Sequence, residues 1–222
     1  LEADESDGSF VNIPPTYSII TNIDREHMDF YSSMDDLKKY FIQFVQKVPS
    51  FGKSFICTDD KTTNSFVKNL KNKNFYTYGT NSRSNFLIKN IIQKKNFTEF
   101  DLFINLPNLK KQKIKKIKIP LIGIHNVRNS VAAIAVSITI GISIKDIKEG
   151  LLKFKGVQRR FNKIFTYNNV SYFDDYAHHP TEIKFVLEGV SKVYKDYDKI
   201  CVFQPHRVSR LRDLRREFSF AF

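Results

Sequence analysis

The side chains of this 222-residue chain that could do chemistry fall into a few short segments. Glu2, Asp4, Glu5 and Asp7 crowd one stretch near its start. They are oxygen donors of the kind magnesium prefers, and the same grouping also reads as a solvated acidic turn. His27 stands among Asp24, Glu26 and Asp29, as a metal ligand or a hydrogen bonder at a helix start, although imidazole is an uncommon magnesium ligand. Asn126 and Asn129 lie one helical turn apart on one face, suited to a nucleotide base or a metal-bound phosphate, while Asn126 also suits a helix cap. Arg159-Arg160-Phe161 offers a guanidinium clamp for phosphate or one half of an ion pair. Asp174-Asp175 precedes His178-His179-Pro180, where a carboxylate either holds ribose hydroxyls or caps the helix that Pro180 opens. Arg207, Arg210 and Arg212 follow His206 at another helix start, where they oppose the helix dipole unless an anionic ligand offsets the cost.

All five histidines therefore fall at expected strand ends or helix starts, the places where α/β sheets bind ligands. The elements that must position them follow from periodicity and punctuation. Leu1–Ala3 reads as the end of a strand. Strands are expected at 17–23, 54–58 and 75–78, with helices over 34–48 and 61–70 between them. That alternation predicts a mostly parallel sheet. Three segments, 86–93, 99–105 and 114–119, form an antiparallel flank. Helices over 126–140 and 144–154 follow, the first ended by Gly141 and the second capped by Ser143. Strands 164–167 and 170–173 flank Asn168-Asn169, a hairpin turn. A helix from Pro180 to about Tyr194, a strand at 200–203 and a basic helix from Val208 complete the pattern.

Composition narrows the function classes. Hydrophobic residues make up 41%, enough for a sizeable core. Cys57 and Cys201 have no metal-type spacing and read as reduced core residues of a cytoplasmic protein. No apolar run spans a membrane, and the acidic start lacks a signal peptide. The net charge of +13 invites a nucleic-acid reading, carried by Lys110–Lys118. That run contains no aromatic residue on which a base could stack. A general bias toward Lys and Asn, spread through surface-like stretches such as Lys68–Asn74, accounts for the charge without a nucleic-acid partner.

Six segments, in this order, resemble the Mur ligases. They are Glu2-Ala3-Asp4-Glu5-Ser6-Asp7, Asn22-Ile23 with His27-Met28-Asp29, and His125-Asn126 with Asn129. Gly156–Phe161, Asp174–Glu182 and Phe203-Gln204-Pro205-His206-Arg207 complete the set. The resemblance covers nearly the whole chain. The forms Glu-Ala-Asp-Glu-Ser-Asp and Phe-Gln-Pro-His-Arg are similar to the L-alanine-adding branch, and Asp-Asp-(aromatic)-Ala-His-His-Pro is shared with a murein-peptide-recycling branch.

The resemblance implies an α/β fold: residues 1–161 as a central P-loop-type ATP-binding domain with a mostly parallel sheet, and 162–222 as the start of a Rossmann-like carboxy-terminal domain. It implies ATP-dependent ligation of L-alanine to the lactyl carboxylate of UDP-N-acetylmuramate through an acyl phosphate, by a cytoplasmic monomer or homodimer without membrane or nucleic-acid partners. By position, Glu2 and His27 would hold Mg2+, and Asn126 and Asn129 would contact the nucleotide. Arg160 would face the ATP phosphates and Asp175 the nucleoside. His178, His206, Arg207 and Arg210 would line the alanine and acyl-phosphate side. Two motif positions depart from the family: Arg128 stands where an apolar residue is usual, and Ala177 where Gly is frequent. The family's Gly-Lys-Thr-Thr phosphate loop does not occur in these residues; in the family it precedes the Glu2 motif. The chain is accordingly expected to be an internal piece that turns over no ATP alone.

Overall fold

The computed structural model describes every residue except Asn72, Lys73 and Asn108. The surface reading of Lys68–Asn74 therefore lies partly outside the described residues. Six strands form one sheet in sequence order: β1 (Tyr17–Ile20), β2 (Lys53–Cys57), β3 (Phe75–Gly79), β4 (Phe86–Lys94), β5 (Phe97–Ile104) and β6 (Gln112–Ile119). The pairs β1–β2, β2–β3 and β3–β4 are parallel. Parallel neighbours need crossovers, and α1 (Met34–Gln46) and α2 (Lys61–Asn69) supply the first two. Ser33 caps α1 by accepting from Asp36 N, with Asp35 and Asp36 against the positive end of the dipole. Asp60 caps α2 by accepting from Thr63 N. Only Lys95 and Asn96 separate β4 from β5, a connection that permits antiparallel pairing alone. The expected antiparallel flank is thus present.

Chain contacts divide the molecule into two compact units. Leu1–Asn90, Phe100–Ile117 and Arg128–Ile147 make the first; Ile91–Glu99, Lys118–Val127 and Lys148–Phe222 make the second. In the first, α1 and α2 bury their apolar stripes with the strands in a cluster of Ile20, Ile23, Tyr31, Leu37, Val45, Ile56, Phe66 and Leu70. Each such side chain contributes about 1.5–3 kcal/mol on burial.

The outer strands carry an irregularity. Asn90 in β4 and Lys116 in β6 both have left-handed φ, 53° and 52°. Asp101 of β5 accepts from both: from Asn90 Nδ2 at 2.9 Å and from the Lys116 amide at 2.9 Å. These hydrogen bonds hold its carboxyl below the usual carboxylate range. In β6 the buried residues are Ile114, Ile117 and Ile119, so the two-residue alternation skips one position at Lys115-Lys116.

In α3 (Ile124–Thr139) and α4 (Ile144–Lys153) the expected punctuation holds: Gly141 takes φ 87°, and Ser143 Oγ accepts from Asp146 N at 3.2 Å. β7 (Asn162–Tyr167) and β8 (Val170–Asp174) pair antiparallel across Asn168-Asn169, both with positive φ (47° and 62°) as a type I′ turn requires. α5 (Pro180–Val193), α6 (Val208–Asp213) and α7 (Arg215–Ser219) follow. Ile183, Leu214, Phe218 and Ala221 form the small core of these helices.

Three expectations are corrected. Leu1–Ala3 and residues 200–203 form no strand: neither has a ladder partner among the described residues, and Ile200 and Val202 are exposed. A β-prone sequence without a neighbour to receive its hydrogen bonds stays irregular. Cys201 is exposed for the same reason, while Cys57 in β2 is buried with its thiol pushed up to about 11 by desolvation.

Gly52 opens β2 where a Cβ would meet the Thr16 carbonyl oxygen at 1.9 Å; at Gly150 in α4 a Cβ meets nothing within 4 Å. Gly52→Ala therefore lowers the melting temperature. Gly150→Ala raises it, by the equivalent of about 1 kcal/mol of helix propensity. Thermal unfolding of both variants checks the pair.

Candidate functional site

The acidic stretch folds as a tight turn that consumes two of its own carboxylates. Asp4 Oδ1 accepts from Ser6 N at 2.7 Å, and Asp7 Oδ1 from Ser9 N at 2.9 Å. Both carboxyls are held below their ordinary values, Asp4 first by the Ser6 amide and Asp7 first by the Ser9 side chain. The Tyr31 hydroxyl donates to the Glu5 carbonyl. Burial, helped by the nearby Glu5 charge, pushes that phenol up to about 12, so it remains a donor. His27, with left-handed φ 57°, sets Nε2 3.7 Å from Glu5 Oε1. The carboxylate facing His27 is thus that of Glu5, and Glu2 is exposed. Among the described residues no three His, Cys, Asp or Glu side chains gather as a metal cage. The donor set still fits magnesium in its usual manner, with one or two carboxylates and the remaining positions filled by phosphate and water.

Asn126 does not cap α3. The helix begins at Ile124, and the Asn126 amide donates back to the Ile122 carbonyl at 2.7 Å. Asn129 is exposed. Between them Arg128, unexpected at this position, donates from Nε to Asp59 Oδ2 at 2.6 Å.

The start of α5 gathers most of the remaining candidates. Its cap is His179, not Asp174 or Asp175. His179 Nδ1 accepts from Thr181 N at 3.3 Å, and Glu182 Oε2 accepts from the amides of His179 (3.3 Å) and His178 (3.1 Å), closing a capping box. His178 Nδ1 lies 2.9 Å from the Tyr176 carbonyl, which can only accept. Neutral His178 therefore carries its proton on Nδ1 and neutral His179 on Nε2, so adjacent imidazoles are held in opposite tautomers. Asp175 instead stitches two loops, accepting from Phe161 N at 2.8 Å and Ala177 N at 2.7 Å. Arg160 Nη1 lies 3.5 Å from Glu182 Oε1, and Arg159 Nε 3.5 Å from Asp174.

Two neighbouring carboxyls are driven in opposite directions. Desolvation raises Asp175 against the pull of its two amides. Burial alone would raise Glu182 too, but the His178 amide, the His178 and Arg160 charges and the His179 amide outweigh it, and its pKa is lowered. Glu182 was read in the sequence only as the last residue of the Asp174–Glu182 segment, with no role of its own; the capping-box spacing His179-x-x-Glu182 was the signal for the part it plays here. Farther on, Arg210 is buried, its Nη1 donating to the His206 carbonyl at 3.2 Å, while His206 and Arg207 are exposed. Arg207 takes φ 66° at the cap of α6.

Because the folded pKa of Glu182 lies below its ordinary 4.5, its contribution to stability is present above pH 4.5 and is lost as pH falls through the folded value. Glu182→Gln should flatten that acid limb in a series of melting temperatures from pH 3 to 7. An unchanged acid limb would assign it to other groups.

Residues 2–137 match the family described as Mur ligase middle domain, and residues 159–221 the one described as Mur ligase, glutamate ligase domain. The whole chain is 66% identical to UDP-N-acetylmuramate–L-alanine ligase of Pelagibacter ubique and covers 48% of it. It is 44% identical to the ligase of that name from Brachyspira hyodysenteriae, covering 47%. The chain thus spans about half the length of these relatives. Its fold superposes on UDP-N-acetylmuramate-alanine ligase of Thermotoga maritima with a TM-score of 0.74 at 26% identity, over 96% of this chain and 46% of that one. By the match over 2–137, which takes in most of its length, the chain belongs to the Mur ligase family.

Proposed function

We propose that the protein containing this chain is an ATP-dependent carboxylate–amine ligase that joins L-alanine to the lactyl carboxylate of UDP-N-acetylmuramate in peptidoglycan precursor synthesis. The observation that carries this is the 66% identity over 222 residues, the whole of this chain, to a ligase of that name. A murein-peptide-recycling specificity is the alternative reading of the shared Asp174–Pro180 form. The closer likeness of Glu2–Asp7 and Phe203–Arg207 to the alanine-adding branch favours the first. We place the protein in the cytoplasm as a monomer or homodimer; no helix among the described residues is long and apolar enough to cross a membrane. Residues 1–161 serve as the central domain and 162–222 as the start of the carboxy-terminal one.

In this reading the lactyl carboxylate takes the γ-phosphoryl group of ATP. The alanine amine attacks the resulting acyl phosphate, and phosphate leaves from the tetrahedral intermediate. Such chemistry depends on placement and charge neutralisation more than on covalent help from the protein. Glu2 and His27 would hold Mg2+, with Glu5 orienting the imidazole; the metal would neutralise phosphate charge. Asn126 and Asn129 contact the nucleotide, Arg160 the phosphates and Asp175 the nucleoside. His178, with Nε2 as the acceptor of its neutral form, lines the amine and acyl-phosphate side with His206, Arg207 and Arg210.

In the complete protein, Glu2→Ala and His27→Ala should lower ATP-dependent joining of L-alanine by about 100-fold or more while leaving the melting temperature nearly unchanged. Equal loss of both would assign these residues to the fold. Asp175→Asn turns an NH2 group toward one of the two loop amides that the carboxylate now accepts from, so the melting temperature falls by the equivalent of about 1–3 kcal/mol. The KM for ATP should increase as well, by about tenfold. Substrate panels of L-alanine against murein peptides decide the acceptor.

A further inference from the structure

Asp59 follows β2, and its side chain is 3% exposed. Its Oδ1 accepts from Thr80 N at 2.6 Å and from Asn81 N at 3.3 Å, just beyond β3. Its Oδ2 accepts from Arg128 Nε at 2.6 Å. Gly79, at φ 143°, leaves the room this requires: a Cβ there would stand 2.3 Å from Asp59 Oδ1. One buried carboxylate thus joins the carboxyl ends of two parallel strands to a helix, at the edge where such sheets take ligands. A buried charge is tolerated only when it is paired and hydrogen-bonded, and here a guanidinium and two amides do both. The pair links residues 69 positions apart. Arg128 is adjacent in sequence to Asn129, and both lie in α3.

We propose that the Asp59–Arg128 pair is a positioning device that sets the pose of α3 against the ends of β2 and β3, and through it the address of Asn129 to the nucleotide. This rests on the nucleotide-dependent reading given above. Neither residue is catalytic; each acts through the helix. In a chain carrying an apolar residue at 128 the same pose would have to come from packing. Here a charge-assisted hydrogen bond fixes it in both distance and direction.

The test uses the complete protein and reads ATP affinity by calorimetry beside thermal unfolding. Arg128→Leu should raise the ATP Kd about tenfold, read at a temperature where thermal unfolding shows the variant folded. Asp59→Asn should do the same, and the double variant should be no worse than either single one, since both remove one interaction. Arg128→Lys, which keeps the charge, should recover binding to within about threefold of wild type. ATP affinity unchanged in Arg128→Leu, whatever its melting temperature, overturns the proposal. So does a Lys variant no better than the Leu variant, or additive losses in the double variant. Should the wild-type protein bind no ATP, this inference falls together with the function proposed above. Binding in wild type with equal binding in the variants sinks the positioning role alone.

Discussion

Strands that run the same way cannot be joined by a two-residue hairpin. This constraint organises the first unit, because α1 and α2 must carry the chain back so that β1, β2 and β3 start from the same side. The residues leaving each strand then emerge at one edge. They include the 21–31 segment with His27, and Asp59-Asp60. The β3–β4 pair meets the constraint differently: it is parallel with only residues 80–85 between its strands, pairing Tyr78 with Phe86 and Gly79 with Leu87. So short a return is held by side chains. Asp59 takes the amides of 80 and 81, Thr58 meets Ser84 at 3.0 Å, and Asn85 Oδ1 takes the Thr77 amide at 2.9 Å.

In the second unit a helix start does the organising. The first amides of α5 and the preceding loop are donors in search of acceptors, and the chain supplies Glu182, Asp175 and the ring of His179. Satisfying them fixes more than the helix. It settles which nitrogen of neutral His179 bears a proton and helps drive two neighbouring carboxyls in opposite directions. These side chains are thereby tuned by the same hydrogen bonds that cap the start of the helix.

Much of this was legible in order of locality. The cap of α4, the Asn168-Asn169 turn and the alternation of strand and helix depend on neighbours in sequence, and each formed as read. The placement of the histidines near strand ends and helix starts was visible for that reason too. Pairing over distance was not. Residues 200–203 have the composition of a strand, yet a strand is a relation between two segments. Asn126 has the chemistry of a cap but sits inside the helix, where its amide group turns back to Ile122. The Asp59–Arg128 bond could not be read from either residue. Arg128 registered only as a departure from a pattern, and the reason for the departure lies at the end of β2. His27 was expected with Glu2, and Glu5 is the side chain that faces it.

The carboxylate of Asp101 has a consequence for β6. The run Lys113-Ile114-Lys115-Lys116-Ile117-Lys118-Ile119 is nearly self-similar, and a strand of that kind can slide along its neighbour and find another alignment of almost equal energy. Composition biased toward a few residue types makes such degeneracy common. Asp101 removes it, because only one alignment brings the Lys116 amide to one of its oxygens while Asn90 occupies the other. The extra residue at the bulge also keeps Lys115 and Lys116 both outward, where strict alternation would have turned one of them into the core. A low-information sequence is thus given a unique register by a single side chain on the strand beside it.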